Sequence, residues 1–166
     1  MREFFYKGFF IFNKFELDLC LKEPACLLGD GTFSTTPPMF SQIYIIHLLL
    51  EKQAYPVFFI LTKHKAKVVY DEIFNIIKNL GVRVRLFMSD YEKATRSSFR
   101  NVFEGITIKG CWFHYCQSLV KKVKDLKFGK EYTTNTEINE LIRLFFSLAF
   151  VPPENINDYY DEIKIK

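Results

Sequence analysis

Hydrophobic and polar positions follow several different periods along this chain, and each period predicts a different element. Residues 25–29 form a short, continuous apolar run, which is typical of a buried strand. Two longer runs begin at Gln42 and Tyr55 and are rich in β-branched and aromatic residues. The four residues Glu51–Ala54 separate these runs, so together they predict an antiparallel hairpin.

The hydrophobic period becomes helical between residues 65 and 81. Successive apolar positions are separated by four, three, one and three residues, which places them on one face of a helix: Val69, Ile73, Ile76, Ile77 and Leu80. Gly81 supplies a C-terminal stop, because glycine readily adopts the left-handed conformation that often ends a helix. The segment is therefore predicted to be an amphipathic helix.

Strand and helix patterns alternate in the next part of the chain. VRVRLFMSD alternates basic and apolar residues and predicts a strand that ends at Asp90. YEKATRSSFRNVFEG predicts a second helix closed by Gly105, ITIKGCWF a further strand, and HYCQSLVKKVKDL a third helix. The elements up to Lys130 are thus three strands followed by helix, strand, helix, strand and helix.

Past residue 130 the pattern is helical throughout. Thr134 and Glu137 have the spacing of a capping box, in which the two side chains satisfy free backbone amides at the start of a helix. The apolar face that follows consists of Leu141, Leu144, Phe145 and Leu148. Pro152 and Pro153 end this helix, and Pro153 can open another.

This succession of elements predicts an α/β fold, a mixed sheet with helices on its faces. The ribonuclease-H-like fold has the same succession, and in that arrangement the first predicted strand lies beside the fourth. We therefore expect residues 25–130 to form part of a ribonuclease-H-like core and residues 131–166 to begin an α-helical insertion. Residues 1–24 are expected to be a strand or packing segment, or the point at which a longer chain was cut.

Composition excludes several classes of protein. Hydrophobic residues make up 49% of the 166 residues and 19 are Phe, so the chain can bury a core and is not disordered. It has no run of about 18 uncharged apolar residues, so no membrane-spanning helix is expected. Lys7 and Lys14 interrupt the apolar opening, which also lacks the cleavage site of a signal peptide. Without an export signal, the four cysteines are expected to be reduced thiols inside a cell.

The net charge of +4 is mild, but the charges are unevenly distributed. Residues 93–130 hold nine basic and two acidic residues, a local +7, whereas residues 131–166 hold three basic and seven acidic residues, a local −4. The positive charge of residues 93–130 would allow this block to bind phosphate groups. Its candidate contacts to a DNA backbone are Lys121, Lys122, Lys124 and Lys127. The alternative for these lysines is a solvated helix face.

Asp30 and Asp90 are the candidate catalytic residues. Each follows an apolar strand, and the predicted fold would bring these two strand ends side by side although sixty residues separate them. Two neighbouring carboxylates repel each other unless a cation lies between them, and Mg²⁺ binds one or two carboxylates together with waters and phosphate oxygens. The alternatives are that Asp30 belongs to an Asp-Gly turn and that Asp90, with Ser89, caps the next helix.

A phosphatase is a competing interpretation of the first aspartate. Haloacid dehalogenase phosphatases carry the motif Asp-x-Asp-Gly-Thr after a strand, and Asp30, Gly31 and Thr32 match its second half. The first Asp of that motif is the nucleophile, and the corresponding residue here is Leu28, which cannot attack phosphorus. We therefore do not expect phosphatase turnover.

Four blocks of the sequence resemble the central part of Mutator-like element (MULE) transposases: GDGTFSTTPPMFSQIYIIHLLL, MSDYEKA, IKGCWFHYCQSL and LAFVPPENI. They appear in the family's order and cover about residues 25–160. The resemblance implies a DDE-type nuclease and strand-transfer enzyme with a ribonuclease-H-like core, which acts on transposon-end DNA with Mg²⁺ or Mn²⁺ during DNA transposition and recombination. It also implies a nuclear protein that associates with itself on DNA.

The resemblance also assigns roles to particular residues. Asp30 matches the first catalytic, metal-binding aspartate of the family and Asp90 the second, while Cys111 and His114 match its C-x-x-H signature. The family's third acidic residue is a Glu that follows the helical insertion, and no matching stretch occurs before Lys166. We therefore expect a fragment of a MULE-type transposase that is incomplete and inactive alone. The alternative is a non-catalytic, transposon-derived protein that binds DNA or a protein partner.

The segment CWFHYC raises the question of a zinc site. Cys111, His114 and Cys116 offer up to three ligands, whereas a closed structural zinc site needs four, usually as two spaced pairs. Cys20 and Cys26 are the remaining thiols, and their spacing is loose for a metal pair. We therefore do not expect zinc; Cys111 is expected to be buried at a strand end and His114 to start a helix near the carboxylates.

Overall fold

The structure is a computed structural model, and it describes residues 2–5, 8–32 and 36–165. Phe33, Ser34 and Thr35 of the GDGTFSTTPPMF block lie outside the described residues. The described elements are β1 (Arg2–Phe5), β2 (Gly8–Phe12), α1 (Lys14–Lys22), β3 (Ala25–Thr32), β4 (Gln42–Leu50), β5 (Gln53–Thr62), α2 (Lys67–Asn79), β6 (Val84–Ser89), α3 (Lys93–Val102), β7 (Thr107–Gly110), α4 (Trp112–Asp125), α5 (Gly129–Thr134), α6 (Thr136–Ser147) and α7 (Ile156–Lys164). Two 3₁₀ turns, Leu148–Phe150 and Pro153–Asn155, lie between α6 and α7.

The strands form one mixed sheet in the order β1-β2-β5-β4-β3-β6-β7. Strand β3 is parallel to β6, and β6 is parallel to β7. The pairs β3–β4, β4–β5, β5–β2 and β2–β1 are antiparallel. The α/β class is as predicted, and this mixed sheet with flanking helices is compatible with a ribonuclease-H-like fold: the first predicted strand, β3, lies beside the fourth, β6.

The core of the sheet is continuous with helices α2 and α3. One face of α2 packs into this core. Its buried side chains are those of Val69, Tyr70, Ile73, Phe74 and Ile77. Phe87 of β6 stacks on Phe99 of α3 with ring centroids 3.7 Å apart, and Phe74 meets Phe99 edge-on at 4.7 Å. Such aromatic pairs add to the free energy gained from burying apolar area, so they join β6 to both helices.

The predicted ends of two strand segments need correction. The hairpin turn between β4 and β5 contains two residues, Glu51 and Lys52, rather than four, and both have positive φ as in a type I′ turn. The predicted strand ITIKGCWF ends at Gly110, because Trp112 already begins α4. Gly81 and Gly105 have the positive φ expected of residues that end helices.

The N-terminal segment contains strands, as expected, but also a helix, and the capping box differs from the prediction. Residues 1–24 contain the strands β1 and β2, which extend the sheet beyond β5, and also the helix α1, which the pattern did not predict. The N-cap of α6 is Asn135, whose side chain accepts a hydrogen bond from the amide of Ile138 at 3.1 Å. Thr134 instead donates its hydroxyl to the carbonyl of Lys130 within α5, so the predicted capping box is wrong.

The chain divides into two compact units, which we call the sheet unit (up to Gly110) and the helical unit (from Cys111). This division lies twenty residues before the predicted boundary at 130/131, because α4 groups with the helices that follow it. The segment beyond residue 130 is helical, as predicted. Among the described residues, no helix has the length and apolar character needed to span a bilayer.

Candidate active site

The two candidate aspartates follow the last paired residues of the parallel ladder between β3 and β6. That ladder ends with Gly29 opposite Ser89, and Asp30 and Asp90 come next on their respective strands. Because the two strands run in the same direction, both residues lie at the same end of the ladder. The two strand segments that lead into Asp30 and Asp90 therefore lie side by side, as predicted.

Asp30 lies within β3 rather than at its end. The strand was predicted to stop at residue 29, but it continues to Thr32 because Asp30 pairs with Ile45 and Gly31 pairs with Tyr44 of β4. The alternative of an Asp-Gly turn is therefore wrong. Asp30 is exposed, and its backbone is fixed by β4 on one side while the ladder with β6 has ended on the other.

Asp90 is half-buried in the short segment that joins β6 to α3. Its Oδ1 accepts a hydrogen bond from the backbone amide of Glu92 at 3.1 Å. The Ser89 hydroxyl donates to the carbonyl oxygen of Asp90 at 3.0 Å. The N-cap of α3 is Glu92, so Asp90 binds an amide at the start of this helix without being its N-cap residue.

Tyr44 has a buried hydroxyl that is within electrostatic range of three acidic side chains. Its side chain is 1% exposed, and among the described residues its hydroxyl has no hydrogen-bond partner. Burial raises the pKa of Tyr44 well above its ordinary value, and Tyr70 and the charges of Asp90, Glu92 and Asp30 raise it further. The hydroxyl therefore stays protonated at neutral pH, and three carboxylates lie close enough to act on it.

Gly29 allows Tyr44 to pack at this point of the sheet. A Cβ atom on Gly29 would overlap the Tyr44 hydroxyl and would lie 2.8 Å from Cζ of Phe87. Real Cβ atoms essentially never approach other atoms so closely. The residue immediately before Asp30 must therefore be glycine for the buried rings to keep their positions.

Glu92 is a residue of this site that sequence reasoning missed. Its Oε2 accepts hydrogen bonds from the Tyr70 hydroxyl at 2.8 Å and from the Thr95 hydroxyl at 3.0 Å. The Tyr70 hydroxyl in turn accepts a hydrogen bond from Nε2 of Gln42 at 2.9 Å. The available signal was a Glu at the N-cap of α3, where Ser, Thr, Asp and Asn are the preferred residues.

His47 lies on β4 within electrostatic reach of Asp30. Burial lowers its pKa, while a hydrogen bond with the backbone of Leu28 and the charge of Asp30 act in the opposite direction. Because burial is the largest of these effects, the imidazole is neutral at pH 7. His47 therefore adds no positive charge to the acidic pair under ordinary conditions.

The donor set at Asp30 and Asp90 fits one mode of Mg²⁺ or Mn²⁺ binding. Two carboxylates suit an ion that keeps several waters and takes phosphate oxygens from a substrate. In the described ranges, no three or more His, Cys, Asp and Glu side chains form a group that could hold a metal ion. Binding of Mg²⁺, Mn²⁺ or zinc at these residues therefore stays a prediction.

The C-x-x-H residues lie at the start of α4 in the helical unit. Cys111 is the N-cap of this helix, and His114 lies in its first turn, so His114 starts a helix as expected. Cys111 is half-buried and follows the end of β7, so it is less enclosed than the sequence suggested. Burial raises the pKa of the Cys116 thiol, and the neighbouring Cys111 raises it further.

The four candidate DNA-binding lysines are exposed near the C-terminal end of α4. Lys121 and Lys124 line the same cavity as His114, with a volume of about 710 Å³. Lys122 does not line this cavity, and Lys127 follows the helix with a φ of 66°. The structure thus groups two of the four lysines with the histidine of the C-x-x-H signature.

Comparison with known proteins adds no family to these observations. The chain matches no family model, and no curated protein matches it. A functional assignment therefore depends on the carboxylate pair, the order of the strands and the sequence blocks described above.

Proposed function

We propose that this chain carries the core of a DDE-type transposase of the Mutator-like kind, which cuts and joins transposon-end DNA with Mg²⁺ or Mn²⁺. The observation that carries this proposal is the position of Asp30 and Asp90, which directly follow the last pair of a parallel ladder. The ribonuclease-H-like order of the strands and the four sequence blocks support it. Nuclear localisation and self-association on DNA remain predictions from the resemblance.

In this function Asp30 and Asp90 hold the divalent cation, which when bound polarises phosphate oxygens and offsets charge that develops on attacking and leaving oxygens. Asp30 is exposed, so DNA can approach it from solvent. Asp90 is half-buried and hydrogen-bonded through Oδ1, so its carboxylate has a defined orientation. The two aspartates thus combine an accessible ligand with an oriented one.

We expect the chain alone to cut DNA slowly or not at all. No third acidic side chain joins Asp30 and Asp90 in a metal-holding group within the described part of the chain. Two carboxylates leave most of the coordination to water and substrate phosphates. Cation binding should therefore be weak in the free protein and should tighten when DNA supplies phosphate oxygens.

Mn²⁺ binding to the full chain, measured by electron paramagnetic resonance with and without duplex DNA, tests the site. Asp30→Asn and Asp90→Asn should each weaken binding by about 10-fold or more, the lower end of what loss of a supporting residue costs at metal sites. Asp18→Asn is the matched control, because Asp18 is exposed on α1 and pairs with Lys14. Equal Mn²⁺ affinity in the three variants and the wild-type chain would rule out this cation site.

A DNA-binding measurement separates the enzyme from a non-catalytic, transposon-derived binding protein. Fluorescence anisotropy with labelled duplex DNA should show binding that strengthens with Mn²⁺ and loses this dependence in Asp90→Asn. Replacing Lys121 and Lys124 by Ala should weaken DNA binding and flatten its salt dependence, because fewer counterions are released. A DNA affinity that changes neither with Mn²⁺ nor with Asp90→Asn would favour the non-catalytic alternative.

A further inference from the structure

Glu92 connects Asp90 to the buried core of the sheet unit. Its backbone amide donates to Oδ1 of Asp90 at 3.1 Å, so the position of the Glu92 backbone sets one contact of the Asp90 carboxylate. Its side chain is bound through Oε2 to two hydroxyls, those of Tyr70 at 2.8 Å and Thr95 at 3.0 Å. A single residue therefore contacts the candidate metal ligand with its backbone and the core with its carboxylate.

The partners of the Glu92 side chain are themselves fixed. Tyr70 and Thr95 are fully buried, and Gln42, which donates to the Tyr70 hydroxyl at 2.9 Å, is 1% exposed. They belong to three different elements, since Gln42 is on β4, Tyr70 on α2 and Thr95 on α3. A buried network in which every hydrogen bond is made is rigid, so the Glu92 carboxylate has little freedom to move.

The position of Glu92 in the helix points to the same role. Glu92 is the N-cap of α3, yet its side chain makes no capping hydrogen bond to the helix backbone. An N-cap residue normally accepts such a bond, and replacing a good capping residue typically costs about 1 kcal/mol of stability. Here the carboxylate instead accepts hydrogen bonds from the hydroxyls of Tyr70 and of Thr95 in the first turn of α3, so the side chain ties the segment between β6 and α3 to the core.

The Glu92 carboxylate is engaged with core hydroxyls. In the described residues, Glu92 forms no metal-holding group with Asp30 and Asp90. Oε2 is already occupied by two hydroxyl donors. Removing the side chain should therefore act on the cation through the orientation of Asp90, and this distinguishes a positioning residue from a ligand.

We propose that Glu92 is the positioning residue of the cation site: the buried Gln42–Tyr70–Glu92–Thr95 network fixes the Glu92 backbone, and its amide orients the Asp90 carboxylate toward a divalent cation. This inference rests on the proposed function, because it concerns the same carboxylate pair. It predicts that the hydroxyl of the fully buried Tyr70 affects cation affinity through Glu92 rather than as a ligand.

The test compares Mn²⁺ affinities of full-length variants by electron paramagnetic resonance. Glu92→Ala removes the bonds to Tyr70 and Thr95 and should weaken Mn²⁺ binding by about 10-fold, as loss of residues that orient metal ligands does elsewhere. Glu92→Gln keeps an oxygen acceptor for both hydroxyls and should retain affinity to within about 3-fold. Glu104→Ala, which removes an exposed acid just beyond α3, is the matched control and should leave affinity unchanged.

A double-mutant cycle assigns the effect to Asp90. Glu92→Ala should have no further effect on Mn²⁺ binding in the Asp90→Asn background but should keep its full effect in the Asp30→Asn background. Tyr70→Phe, which changes no charge, should weaken binding in the same direction as Glu92→Ala. Urea unfolding of each variant confirms that it is folded at the temperature of the binding measurement.

The outcomes separate this inference from the proposed function. If the wild-type chain binds no Mn²⁺, or if Asp90→Asn binds it as well as the wild type, the cation site itself is wrong and this role of Glu92 falls with it. If Asp90→Asn loses affinity while folded Glu92→Ala does not, the site stands and the positioning role is overturned. If Glu92→Gln loses as much affinity as Glu92→Ala, Glu92 acts through its charge and the positioning role is again overturned.

Discussion

The sheet unit and the helical unit bury their apolar side chains to very different extents. In the sheet unit, many large side chains are fully enclosed, among them Phe58, Phe74 and Phe99 at 0% exposure. In the described part of the helical unit, the buried hydrophobic residues are Ile142, Leu148 and Ile163 at 8–9% exposure. Helices α4 and α5 bury none of their described residues, although α4 has an amphipathic sequence.

This contrast shows that a clear helical pattern does not imply a packed core. Isolated helices are marginal in water, and most of the stability of helices in proteins comes from packing of their apolar face. The sheet unit has such packing on α2 and α3, whereas the helical unit leaves large apolar side chains such as Trp112, Phe113 and Phe150 49–71% exposed. We therefore expect packing mutations to be costly in the first unit and cheap in the second, while local backbone effects should be equal.

The largest expected effect is the loss of the Phe99 ring. Phe99→Ala should lower the free energy of unfolding by about 3–5 kcal/mol, because the ring stacks on Phe87 and meets Phe74 in a filled core. Ile142→Ala in the helical unit should cost less than about 2 kcal/mol, since its surroundings can relax. Urea unfolding of both variants measures the difference, and equal losses would contradict the comparison.

Adding a methyl group to a glycine gives the next contrast. Gly29→Ala should cost about 1–3 kcal/mol, because the new Cβ would overlap the Tyr44 hydroxyl and approach Phe87. Gly129→Ala at the start of α5 should be neutral or stabilising by up to about 1 kcal/mol, because its Cβ would approach the flexible Lys124 side chain at 3.2 Å and the Lys124 Cα at an ordinary contact distance of 3.7 Å. Thermal and urea unfolding check both; a tolerated Gly29→Ala would mean that the sheet unit is packed less tightly than described.

Removing a tyrosine hydroxyl should produce a smaller difference between the two units in the loss of unfolding free energy. Tyr70→Phe breaks hydrogen bonds with Gln42 and Glu92 in a buried network and should cost about 1–3 kcal/mol. Tyr115→Phe in α4 breaks one bond to the carbonyl of Phe145 in a half-buried place and should cost about 1 kcal/mol or less. Tyr44→Phe removes a buried hydroxyl without a partner in the described residues, so its urea midpoint should stay the same or rise, which makes it the internal control.

The smallest expected effect should be the same in both units. Lys52 in the β4–β5 turn and Lys127 after α4 both have positive φ, at 69° and 66°. Replacing either by Gly should stabilise the protein by about 0.5 kcal/mol, because relief of left-handed strain exceeds the added entropy of the unfolded chain. Matching shifts in urea midpoint would confirm that local backbone terms do not depend on packing, whereas a gain in one unit alone would show that they do.

The central strands and the first helix after them were predictable from local patterns. The continuous apolar runs that form β4 and β5, rich in β-branched and aromatic residues, and the 3.6-residue period of α2 all lie close to their predicted bounds. Helix α1 was harder to predict, because residues 14–19 alternate polar and apolar side chains, a pattern typical of a strand, and yet they form a helix. A helix cap was also misplaced, since Asn135 and Thr134 are both good caps and the sequence does not say which one is used.

The candidate site was predictable only in part, for a physical reason. Asp30 and Asp90 were predicted from the apolar runs that precede them, and the strands formed by those runs, β3 and β6, are paired in the fold. Their role as a site stays a prediction. Glu92 was not found, because its role depends on Gln42 and Tyr70, which are 50 and 22 residues earlier in the chain. A local pattern cannot report a hydrogen-bond network whose members come from separate elements.

The parallel pairing of β3 with β6 has a consequence for how the protein folds. The β4–β5 hairpin joins residues that are neighbours in sequence and can form early, whereas the β3–β6 ladder must close a loop of about sixty residues, which is entropically slower. A collapsed intermediate with only the hairpin would therefore keep Asp30 and Asp90 apart. We therefore expect the acidic pair to come together after the hairpin forms, so that partly folded chains would lack the proposed cation site.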